Sequence, residues 1–94
     1  MDIEQIEKFL TSPFQEEFNY VKIYFKKREA IYGIFVKDAD YAHLKSKNFW
    51  RIVTRAHFDE YKESKNMSLS RIFNGSQISK LVSYKESFEK TTNE

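Results

Sequence analysis

The sequence predicts a mainly β domain in which an N-terminal α-helix precedes a small, strongly bent antiparallel sheet or partly open barrel. Three observations carry this. The hydrophobic period changes from 3.6 to 2 near residue 19, a glycine interrupts a segment that is apolar on both faces, and an Asn-Gly pair stands between two later apolar runs.

Ile3, Ile6 and Leu10 share one helical face, with Phe9 beside them and acids in the first turn, where they suit the helix dipole. Thr11, Ser12 and Pro13 end this helix, because the residue before proline is driven out of the helical region. From Tyr20 onward Val21, Ile23 and Phe25 alternate with Lys22, Tyr24 and Lys26, which predicts a half-buried strand. Lys27, Arg28 and Glu29 form a polar turn, and residues 30–38 read as a central strand bent at Gly33, where no side chain intervenes.

Residues 38–48 are polar and turn-prone, and residues 48–55 return to β composition through Phe49, Trp50, Ile52 and Val53. Residues 56–64 suit a short helix or a long loop, with Phe58 and Tyr61 as anchors three apart. Residues 69–73 alternate, Asn74 and Gly75 supply a hairpin turn, and residues 76–84 follow as a strand. The same run, with Ile78, Leu81 and Val82, also fits a helix begun at Ser76. Residues 1–84 are expected to form one domain, and residues 85–94 a frayed tail with few apolar groups. Trp50 is expected in the core, since large aromatics are highly buried on average.

Composition bounds the function. With 40% hydrophobic residues, including nine Phe and six Tyr, the chain can offset the entropy of ordering and fold. It has no cysteine, hence no disulfide framework and no thiolate metal site, and a reducing, cytoplasmic setting is expected. No apolar run approaches a membrane span, and the acidic start is unlike a signal peptide. Residues 19–66 hold eleven Lys or Arg against six acids, a net +5, while residues 1–18 are net −4. Such a basic centre attracts phosphate, although a solvated mixed-charge face has the same appearance.

Catalysis is not expected. His43 and His57 lie in no nucleophile motif, and His57 with Asp59 or Glu60 lacks an oriented nucleophile. Their spacing matches no metal site, and the two glycines build no phosphate loop, so neither a metal nor a cofactor is expected. What remains is recognition: Tyr20, Lys22, Tyr24 and Lys26 share a strand face on which bases could stack while the cations meet phosphates.

Gly33 and Phe35 followed by Tyr41, His43 and Leu44, and then Ile72, Asn74, Gly75 and Ile78, resemble the two short motifs of the Sm and Sm-like family. The resemblance implies an SH3-like or Sm-like barrel that binds single-stranded RNA and forms rings by pairing edge strands. By that resemblance Tyr41 stacks on a base, His43 bonds its edge, and Asn74 with Gly75 forms the other side of the pocket. The sequence departs from the family at Ala39, an aspartate position flanked here by Asp38 and Asp40, at His43 for asparagine, at Asn74 for arginine, and at Ser46 for an apolar residue.

Two functional expectations result. One is an oligomeric module for RNA or other single-stranded nucleic acid, using Lys22, Tyr24, Lys26, Arg28, Tyr41, His43, Arg51 and Arg55 together with Asn74 and Gly75. The other is a protein-interaction or structural module anchored on whichever of Trp50, Phe58 and Tyr61 is exposed.

Overall fold

Residues 1–12 and 20–84 are described by the computed structural model. Pro13 and the tail expected to fray, residues 85–94, lie outside them. The elements in chain order are α1 (Ile3–Leu10), β1 (Tyr20–Phe25), β2 (Ile31–Val36), α2 (Tyr41–Ser46), β3 (Phe49–Thr54), α3 (Phe58–Ser64), β4 (Arg71–Asn74) and β5 (Ile78–Tyr84). The chain is thus mainly β with an N-terminal helix. Its five strands form one antiparallel sheet in the order β4-β3-β2-β1-β5, and β4 and β5 do not pair to close it.

Helix α1 begins at a capping box. The Asp2 carboxylate accepts from the Gln5 amide at 2.8 Å while the Gln5 side chain accepts from the Asp2 amide at 2.9 Å, so two otherwise orphaned donors are satisfied. Its apolar stripe sets Ile6, fully buried, against the inner face of the sheet. That face carries Val21, Ile23, Trp50, Ile52, Ile78 and Leu81, with Phe25, Phe35 and Phe73 packed around them. The Met1 ammonium donates to the carbonyls of Gly75 and Ile78, and Asn48 Nδ2 donates to the Met1 carbonyl, which ties the start of the chain to β5.

A second cluster lies on the outer face, where α3 lays Phe58 against Tyr20, Ile34, Val36 and Val53, with Tyr61 and Met67 at its margin. The two clusters explain why β2 is apolar on both faces: Ile31 and Phe35 point inward, Ile34 and Val36 outward. The sheet is strongly curled. Phe25 of β1 and Phe73 of β4 have ring centroids 5.8 Å apart, although β2 and β3 lie between their strands in the sheet. Gly33 permits part of this curl by letting Ile52 and Ile23 close over it.

Four sequence expectations are corrected or settled. The Asn-Gly pair does not turn a hairpin: β4 and β5 occupy opposite edges, and Gly75 opens a 3₁₀ turn, Gly75–Gln77, that carries the chain from one edge to the other. Gly75 has no positive φ, which a two-residue hairpin turn needs, and its role is close packing against Asn48 and Ile6. Residues 38–48, expected as a polar turn, contain α2, which ends at Ser46 and is followed by Asn48 at φ 63°. Residues 78–84 form a strand rather than a helix, and the uncertain segment 56–64 completes a 3₁₀ turn, Arg55–His57, and forms α3.

Candidate nucleic-acid interface

The part of the outer face that no described helix covers is built by strand register. Directly opposed residues in an antiparallel sheet share a face, and the pairings set Val82, Lys22 and Tyr32 in one row across β5, β1 and β2. The next rows pair Tyr24 with Lys80 and Tyr20 with Tyr84. A β-bulge between Tyr24 and Phe25 keeps Ile78 inward while Lys80, Val82 and Tyr84 face outward.

These side chains interact as a group. The Lys22 ammonium lies 5.0 Å from the Tyr24 ring centroid and 5.5 Å from that of Tyr32, and Lys80 lies 5.6 Å from Tyr24. The Arg55 guanidinium sits 5.0 Å over Tyr32, whose ring also lies 4.6 Å from that of Tyr84. Pairing with the Tyr24 phenol, and secondarily with that of Tyr32, holds Lys22 above the ordinary lysine value, so its charge persists well past neutrality. Val82 is one of two large hydrophobic residues left exposed among the described residues. Each cation over a ring is worth ~0.5–1 kcal/mol at an exposed site, enough to order the aromatic surface without locking it.

Of the residues singled out in the sequence, Lys22, Tyr24 and Arg55 meet here. Lys26 follows β1 but faces a different neighbourhood: its amide donates to the Gln77 carbonyl at 2.9 Å, and its charge helps to depress the Met1 ammonium, after the larger effect of burial. Arg28 lies over the Phe25 ring at 5.0 Å and, with Asn74, lines a concavity beside β4.

Arg51 is engaged within the fold, its guanidinium donating to both carboxylate oxygens of Asp40 at 3.1 and 2.7 Å and to Ser70 Oγ at 3.3 Å. That guanidinium holds Asp40 below the usual carboxylate range. Tyr41 is half-buried with its ring edge-on to Trp50 at 6.1 Å and with Lys37 and Lys45 over it, and burial raises its phenol. Lys45 in turn bonds Glu7 of α1. His43 is exposed on α2. Both main-chain groups of Gly75 are used, its amide on the Asn48 carbonyl at 2.7 Å and its carbonyl on the Met1 ammonium. Asn74 Oδ1 accepts from the amide and hydroxyl of Ser76.

Tyr32, Lys80, Val82 and Tyr84 complete the face and were not singled out from the sequence. The period-2 spacing of the last three was visible, but only the pairing of β5 with β1 places them beside Lys22. Of the candidate protein-binding anchors, Trp50 and Phe58 are core residues, 2% and 5% exposed. His57 Nδ1 lies 3.7 Å from Glu60 Oε1 with both side chains exposed. Among the described residues there is no group of three or more His, Asp or Glu side chains able to hold a metal ion, and no helix is long and apolar enough to cross a membrane. Compared with protein-family models, curated proteins and solved structures, the chain matches none.

Proposed function

We propose that the chain is a non-catalytic module for single-stranded nucleic acid, of Sm-like character, that binds through the outer face of β5, β1 and β2. The convergence of Tyr24, Tyr32 and Tyr84 with Lys22, Lys80 and Arg55 on one uncovered surface carries this reading. Single strands are favoured because their unstacked bases offer π-faces to tyrosines while the phosphates meet cations. Stacking is worth ~1–3 kcal/mol per base and tolerates any base, so weak sequence preference is the expected behaviour.

Fluorescence anisotropy with a labelled single-stranded RNA of about ten nucleotides tests the reading. Lys22→Glu combined with Lys80→Glu should weaken binding at least about tenfold and flatten the dependence of log affinity on log salt by ~1 for each cation removed. Undiminished RNA affinity in that double variant, with its circular dichroism unchanged, would remove the outer face as the binding surface.

A further inference from the structure

Strand β4 is an edge, paired with β3 on one side and with no other described strand. Beside it lies a concavity of about 340 Å³, within the size range of ligand-binding clefts. Phe25 and Phe73 form its apolar floor, and Ile72, 50% exposed, stands at its lip. Lys27, Arg28 and Arg71 rim it, and no acidic residue is among its described lining. None of these three cations has a carboxylate partner among the described residues, whereas Arg51 and Lys45 each have one.

From this juxtaposition we infer a second binding surface: β4 and its concavity accept an acidic peptide in extended conformation. The peptide adds a strand to the sheet, sets an apolar side chain on Phe25 and Phe73, and places carboxylates against Lys27, Arg28 and Arg71. An open edge offers alternating N–H and C=O groups that only another polypeptide backbone matches, so main-chain bonding supplies affinity and the flanking pockets supply specificity. A nucleic acid would satisfy the cations and leave the β4 main chain unpaired. The chain's own β5 is poorly complementary, since Ile78–Tyr84 contains Lys80 and no carboxylate. Like charges set opposite one another oppose pairing.

The inference is independent of the outer-face reading, and one set of measurements separates them. The probe is a capped peptide of about six residues alternating Val and Glu, titrated into the whole chain and followed by calorimetry and amide chemical shifts. Binding is expected with shifts centred on residues 71–74 and 27–28. Arg28→Gln with Arg71→Gln should weaken it about tenfold, since these are the charges that select the partner. A Val-Lys peptide, and the Val-Glu peptide methylated on alternate backbone nitrogens, should not bind. The Lys22→Glu, Lys80→Glu variant should bind the peptide normally even where RNA binding is lost.

The inference is overturned if the arginine variant, verified as folded, binds the peptide unchanged, or if the methylated peptide binds as well as its parent. It is equally overturned if single-stranded RNA competes the peptide off the same amides, which would make the groove a nucleic-acid surface. An assembly of the chain that must dissociate before the peptide binds would instead assign β4 to a second copy.

Discussion

A methyl group at Gly33 would stand 2.5 Å from Ile52 Cγ2 and 3.3 Å from Ile23 Cδ1, in the centre of the inner core. Gly33→Ala should therefore destabilise the fold by ~1–3 kcal/mol, the usual cost of overpacking, read as a lower midpoint of chemical denaturation. Asn48 is a second residue on which much depends. It adopts φ 63°, accepts from the Trp50 indole N–H at 2.7 Å and donates to the Met1 carbonyl at 3.0 Å. Asn48→Ala strands the buried indole donor and puts into the left-handed region a residue without the short polar side chain that makes it tolerable for asparagine. A loss of ~2–3 kcal/mol in thermal or denaturant unfolding is expected. The two sites differ in legibility. Gly33 announced itself because it interrupts an apolar run, and Trp50 because of its size. Asn48 is one polar residue in a polar stretch, and only its three-dimensional neighbours reveal its work.

At the scale of elements, α2 is held to β3 by the Asp40–Arg51 pair and to α1 by the Lys45–Glu7 pair. Because Arg51 depresses the Asp40 carboxyl, the pair contributes stability that is fully present above the ordinary carboxylate range and is lost as pH falls through the depressed value. Thermal unfolding of the wild type and of Asp40→Asn, followed from about pH 6 to pH 2, should show the variant less stable at the upper end and the gap closing on acidification. A constant gap would place the contribution outside this ion pair. Helix α2 escaped the sequence reading because its helix is short and its anchoring is long-range, so no apolar period marks it. Strand β1 was legible for the opposite reason: six residues alternate cleanly between two faces. β5 was ambiguous because its bulge breaks the alternation that separates a strand from a helix.

Taken whole, the molecule has a sheet with two covered faces, each incompletely covered. Helix α1 closes much of the inner side and α3 part of the outer side, which leaves the Tyr-Lys rows and the β4 edge as separate surfaces. Substitutions at the two surfaces should act independently, so combining Lys22→Glu with Arg71→Gln should change folding stability by the sum of the single effects within ~0.5 kcal/mol in denaturant titrations. The fold class was legible from periodicity, but the strand order was not. Asn74-Gly75 suggested a local hairpin, and pairing between distant segments has no local signature. That same fact hid the outer face, three of whose seven residues lie on β5.

The insertion of β5 beside β1 also sets a condition on how the protein can be made. The Tyr20 to Tyr84 register joins segments 64 residues apart in the chain, so β5 leaves the ribosome well after β1. Until residues 78–84 are free, β1 has an uncovered edge and the inner core lacks Ile78 and Leu81, so the nascent chain presents a β template in the crowded space around its neighbours. Folding must then close the widest separation among the strand pairings, which slows it relative to a sheet built of successive hairpins. The interval of greatest exposure to aggregation thus ends only with the last strand.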